Sequence, residues 1–112
     1  MAQTLLITSN SIGGRPDEEL GRILMKNFLY ALARNPERPS AILLMNEAVR
    51  LVCPDSPSLD DLRLLSENGV SIKVCGTCLD YFGLTAALAV GEIGTMPDSV
   101  ATLMTGDALT IG

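Results

Sequence analysis

Cys75-Gly76-Thr77-Cys78 is the segment of this 112-residue chain whose residue types and spacing offer the most chemistry. Two thiols three residues apart can exchange disulfides, hold part of a metal shell, pass on a terminal sulfur as a persulfide, or simply pack in a core. Histidine is absent, which removes the usual general base and the Ser-His and Cys-His nucleophile pairs. Beyond the pair only Cys53 remains, so a zinc shell would have to be completed by a carboxylate or water, and no metal is expected. A thioredoxin-like dithiol would sit early, after the first long strand and with aromatic flanks; this pair lies late. Sulfur carriage by one of the thiols needs only an accessible thiolate, and it stays open beside the reading of two packed cysteines.

The positions matter as much as the residue types. Cys75 falls at the end of a predicted strand and Cys78 in the first turn of the next helix, where unpaired amides and the positive dipole end favour a thiolate. Lowering a thiol pKa from about 8.5 to about 7 raises its thiolate fraction at neutral pH from ~3% to ~50%. Asp80, one turn away, opposes that shift. Thr77 is predicted to cap the helix through the Asp80 amide, as in a capping box, and Gly83 to break it. Tyr81 and Phe82 are read as core or as a shield for the sulfur. Cys53, beside Pro54, reads as part-buried near a loop and without a role.

Several elements must position this pair. Leu5-Leu6-Ile7 reads as a buried strand running into the loop Thr8 to Gly14, whose amides could meet an anion. That makes Asn10 and Gly13 candidate binding residues, although the loop matches no phosphate-binding pattern. A flavin site of the flavodoxin kind would want aromatic walls, and the chain is 4% aromatic with no Trp; no cofactor is expected. From Asp17 or Pro16 to about Arg34, the residues Leu20, Ile23, Leu24, Phe28, Ala31 and Leu32 recur at helical spacing, with Arg22, Lys26 and Arg34 on the other side.

Asn35 to Pro39 cannot continue that helix, and Ile42 to Met45 reads as a central strand ended by Asn46. Ser56-Pro57 should start a second helix carrying Leu59, Leu62 and Leu65 until Gly69. Val70, Ile72 and Val74 then alternate as a third strand. A last helix from Pro97 to about Met104, stopped by Gly106, leads to an edge strand at Ala108 to Ile111. Alternating strands and helices predict an α/β fold with a mostly parallel, helix-covered sheet. Sites in such sheets collect beyond the carboxyl ends of the strands, the edge from which the segments at Asn10, Asn46 and Cys75 leave. Cys75 and Cys78 are therefore the candidate catalytic residues, with Asn10, Gly13, Asn46, Gly76 and Thr77 as candidate binding residues around them.

With 47% hydrophobic residues, the chain has apolar surface for one core, and residues 1–112 are read as a single domain. The start, Met1-Ala2-Gln3-Thr4, carries no signal-peptide pattern. Apolar runs fall far short of the roughly 20 residues of a membrane span, so no membrane partner is expected. An odd set of three cysteines fits a reducing cytoplasm better than an exported framework. Net charge is -5 and the eight Lys and Arg are scattered, which excludes a basic stripe for nucleic acid.

Four ordered segments carry a family resemblance: Ser9 to Gly13, Glu18 to Leu29, Met45-Asn46 with Val49, and Val74 to Leu84. Over nearly its whole length the chain resembles the DsrE/DsrF-like proteins, most closely the C-terminal domains of the YedF type, which are sulfurtransferase-like and linked to selenium metabolism. The resemblance implies a three-layer α/β/α sandwich, homo-oligomers, and, as in the sulfur-relay members, a persulfide-carrying cysteine after a central strand. Cys75 falls at that position. Cys75 and Gly83 reproduce the spacing found in the relay subunit TusD, whereas Cys78 matches the second cysteine of the YedF-type motif. YedF proteins usually carry a preceding TusA-like domain, and none precedes Met1 in this sequence, so a separate TusA-like sulfur donor or acceptor is the implied partner. The competing reading is a non-catalytic small-ligand-binding or assembly subunit without thiol chemistry.

Overall fold

Ala41-Ile42-Leu43-Leu44 has no polar side to offer water, and in the computed structural model all four residues are buried. The structure describes residues 3–13 and 17–112; Met1, Ala2, the Gly14 end of the first loop and the alternative helix start at Pro16 lie outside them. The strands are β1 (Gln3–Ile7), β2 (Ala41–Leu44), β3 (Ser71–Cys75), β4 (Glu92–Gly94) and β5 (Asp107–Ile111). The helices are α1 (Glu18–Arg34), α2 (Leu59–Glu67), α3 (Gly76–Tyr81) and α4 (Met96–Met104). Two 3-10 segments, Asn46–Val52 and Thr85–Ala87, follow β2 and α3.

The five strands lie in the order β4-β3-β2-β1-β5, and every pair is parallel. From β1 to β4 the chain steps in one direction, so right-handed crossovers put α1, α2 and α3 on one face, while the return from β4 to β5 carries α4 to the other. Asp98, Ser99 and Thr102 of α4 share a cleft with Leu43 and Lys73 on that second face. The fold is thus an α/β sandwich around an all-parallel sheet. Among the described residues, no helix is long and apolar enough to cross a membrane.

Leu5, Ile7, Ile42, Leu44, Ile72 and Val74 point to the first face and form one core with Met25 and Leu29 of α1 and Leu62 and Leu65 of α2. Each fully buried Leu or Ile of that set contributes about 2 kcal/mol relative to an exposed position. The rotation of α1 differs from the sequence expectation. Its buried line is Gly21, Met25, Leu29 and Ala33, whereas Leu20, Ile23 and Leu24 are exposed. Helical spacing cannot choose between two apolar sectors of one helix; a close backbone approach does. Ile12 N–H donates to the Gly21 carbonyl at 2.9 Å, Ser11 Oγ donates to the Glu18 carbonyl, and a Cβ on Gly21 would run into Ser11 Oγ and sit 2.6 Å from the Ile12 carbonyl oxygen.

Asp17 caps α1 by accepting from the Leu20 amide at 3.0 Å, as its position predicts. The start of α2 shifts from the expected Ser56-Pro57 to Leu59, because Ser56 Oγ accepts from the Ser58 amide and closes a turn there instead. The strand β4 has no counterpart in the sequence reading: it is three residues long with no apolar run.

Lys26 and Arg34, expected on the solvent side of α1, both reach Asp61 of α2, at 2.8 and 2.9 Å. Asp61 is 2% exposed. Burial pushes its carboxyl up, but hydrogen bonds and charge from Lys26 and Arg34 outweigh burial and hold it below the usual carboxylate value. A lowered folded-state pKa adds stability that is present above the unfolded pKa, about 3.9, and is lost as pH falls through the folded value. Asp61→Asn is expected to cost about 2 kcal/mol at neutral pH, since both cations retain access to water. In urea unfolding, that difference from the wild type should shrink when pH is lowered to about 3.

Candidate functional site: the Cys75–Cys78 pair

β3 ends at Cys75 and α3 begins at Gly76 with no residue between them. A helix that starts so abruptly has first-turn amides in need of acceptors. The Cys75 side chain supplies one: its Sγ accepts from the Cys78 N–H at 3.4 Å. The cap is therefore Cys75 and not Thr77, which lies exposed inside the first turn. With no loop between strand and helix, the capping position moves two residues upstream of the sequence expectation.

The two sulfurs are 3.0 Å apart, with Cys78 Sγ–H directed at Cys75 Sγ. Both are free thiols and part-buried. Cys78 Sγ in turn accepts from the Asn46 N–H at 3.2 Å. A relay of donors thus runs from the Asn46 amide through Cys78 to Cys75, and Cys75 Sγ is the acceptor of both an N–H and an S–H. Burial pushes the Cys78 thiol above its usual value; its hydrogen bond to Cys75 adds to this, and the Asn46 amide only partly offsets it. The sequence expectation of a thiolate favoured at Cys78 is overturned, because a part-buried sulfur on a six-residue helix feels burial more than the dipole.

Asn46 reaches Cys78 because the chain turns sharply on leaving β2. Its φ is +54°, a left-handed conformation that asparagine tolerates better than most side chains. Gly76 has a packing role: a Cβ there would meet Ile93 Cγ2 at 2.9 Å, across from β4. Phe82 is half-buried, with the Arg50 guanidinium 4.4 Å over its ring, while Tyr81 is 84% exposed and neither fills the core nor shields the sulfur. Cys53 is buried, donates to the Val49 carbonyl, and has its thiol pushed up by burial. Among the described residues, no three His, Cys, Asp or Glu side chains cluster as a metal site.

The remaining two candidates stand apart from the thiols. Asn10 lines a cavity with Arg22, Arg50 and Ser58 that includes neither Cys75 nor Cys78, and Gly13 sits exposed in the turn before α1. Sequence reading named Asn46 as a candidate without foreseeing that its backbone amide would be the contact, and it missed Arg50 and Ile93. Only the placement of Asn46 directly after a central strand announced any of these.

No protein-family model matches the chain, and no functionally curated protein matches it in sequence. Solved structures do match in fold. The ychN protein from E. coli superposes with a TM-score of 0.72 at 24% identity, covering 99% of this chain and 100% of that one. MTH1491 from Methanobacterium thermoautotrophicum, described as of unknown function, gives 0.61 at 16% identity over 98% and 99% of the two chains. BT1422 from Bacteroides thetaiotaomicron, described as a conserved protein of unknown function, gives 0.62 at 16% identity over 96% and 94%. This chain is similar to these proteins in architecture over nearly its whole length.

The Asn46 conformation yields a direct test. Asn46→Gly should leave stability within about 0.5 kcal/mol, whereas Asn46→Val, forced into the same left-handed turn, should lose about 1–2 kcal/mol in urea unfolding.

Proposed function

We propose that this chain carries sulfur or selenium, with Cys75 as the acceptor and Cys78 as the second thiol. The observation that carries this reading is the S–H···S contact of 3.0 Å at the carboxyl edge of the sheet, in which Cys75 is the acceptor. In the loading step, the Cys75 thiolate attacks the terminal sulfur of a donor persulfide, R–S–SH. The S–S bond of the donor breaks, R–S⁻ leaves with the electron pair, and Cys75–S–SH forms. An acceptor thiolate reverses the exchange by taking the terminal sulfur and releasing Cys75 as thiolate. Cys78 offers a competing exit: its thiolate attacks the inner sulfur, a Cys75–Cys78 disulfide forms, and HS⁻ leaves. A Cys78 thiol held protonated by burial keeps that exit slow.

The resemblance to DsrE/DsrF-like domains, and within them to the YedF type, supports the same assignment. An odd set of three cysteines suits a reducing compartment, which supports a cytoplasmic location. Its partner is a persulfide donor or acceptor, with a TusA-like carrier as the leading candidate; Tyr81 and Ile93, exposed beside the pair, offer it apolar contact. Leu20, Ile23 and Leu24, exposed on α1, offer a surface for self-association. Light scattering is expected to report an oligomer, and Ile23→Glu to lower its mass.

Intact-protein mass spectrometry after incubation with a cysteine desulfurase and cysteine tests the carrier reading. A single sulfur adduct on Cys75 is expected, lost in Cys75→Ser and retained in Cys78→Ser. Absence of any adduct on either cysteine would sink the proposal. The lifetime of the adduct should shorten as pH rises above the ordinary thiol range, because Cys78 then deprotonates and attacks; Cys78→Ser should remove that dependence.

A further inference from the structure

Ser58 stands at the N-cap of α2, yet its side chain does not cap the helix. The residue is 1% exposed, and its Oγ has no hydrogen-bond partner among the described residues. A buried hydroxyl left unpaired is destabilising unless something else meets it. Ser58 lines a cavity of about 300 Å³ at the carboxyl edge of the sheet. Arg22 from α1 and Arg50 from the 3-10 segment share its wall, and Asp55 is the one carboxylate among its lining residues. The Arg50 guanidinium is held by stacking on Phe82. Arg22 reaches Glu18 by a single contact at 3.9 Å, with both side chains about half exposed. Ser58 brings the N-cap of the nine-residue α2 to the wall; the first turn beyond it carries Asp60 and Asp61, the latter paired with Lys26 and Arg34. Met25, Leu51 and Leu84 form an apolar part of the same wall.

Two guanidiniums, a helix start and an unpaired buried hydroxyl meeting in one hollow form a receptor for negative charge. The apolar wall adds a place for a short carbon body, and the volume lies at the small end of ligand sites. We infer that this cavity binds a small organic anion, its carboxylate or phosphate head between Arg22, Arg50 and Ser58 and its apolar body against Met25, Leu51 and Leu84. The site contains neither cysteine of the pair and stands independently of the carrier reading.

Phenyl phosphate, benzoate and neutral phenol, each titrated into the isotope-labelled full chain, test the inference through the amide NMR signals of Leu51, Ser58 and Leu59. Saturable shifts are expected with at least one of the two anions, the tighter one identifying the head group, and phenol should bind roughly tenfold more weakly or not at all. Arg50→Met and Arg22→Met should each weaken the anion by roughly tenfold. Ser58→Ala should weaken it too while leaving Tm unchanged or raised, because the hydroxyl has no bond in the free protein to lose. The double variant Cys75→Ser, Cys78→Ser should bind as the wild type does, which separates this site from the thiols. Should Arg50→Met fail to fold, Arg22→Met and Ser58→Ala decide the matter. No saturable shift with either anion, equal binding of phenol, or unchanged affinity in the folded arginine and serine variants would overturn the inference.

Discussion

A parallel sheet must deliver all its strands to the same edge, and here the delivery is set by one row of apolar residues. Ile93, Val74, Leu44, Ile7 and Ile111 lie side by side across the sheet. The next residues along β3 and β2 are Cys75 and Met45, followed by Gly76 and Asn46, so the helix start and the sharp turn emerge beside one another. A slip of one residue in β2 or β3 would turn alternate side chains to the wrong face, and the Asn46 amide would no longer reach Cys78. Polar geometry at the thiols is therefore a product of how leucine, isoleucine and valine pack one layer below.

Where a single local rule decided the outcome, the sequence was readable. Continuous apolar runs at Leu5 to Ile7 and Ile42 to Met45 became β1 and β2, the second ending one residue early at Leu44, Asp17 became a cap, and the dithiol fell at the end of a strand. Where two local rules competed, long-range contacts decided. The stripe expected to be buried on α1 began at Leu20, Ile23 and Leu24, but the approach of Gly21 to the Ser11-Ile12 turn rotates the helix so that Met25 and Leu29 face the core instead. Ser56-Pro57 was the expected start of α2, and the turn that Ser56 closes moved the helix start to Leu59. The strand β4 was unreadable because its pairing with β3, and not its own composition, makes Glu92–Gly94 a strand.

In the sequence, the family resemblance gave Cys75 the carrier's position, while the helix start favoured charge at Cys78. The structure separates them by direction: donors point along one path, toward Cys75. Burial is the stronger influence at Cys78, and burial depends on how α3 seats against the sheet and the 3-10 segment, which no motif spells out. Arg50 was equally silent in the sequence, one scattered cation among eight basic residues. Only the path of Asn46–Val52 across the strand ends gives it neighbours.

Cys75 is the residue whose sulfur holds the first turn of α3, and α3 is six residues long. An atom added to that sulfur, or a bond made to its neighbour, takes the acceptor away from the Cys78 amide or moves it. So short a helix has little beyond its first turn with which to persist. The chemical state of one sulfur and the order of the segment Gly76–Tyr81 are thus linked, because the atom that would be modified is the one that caps the helix.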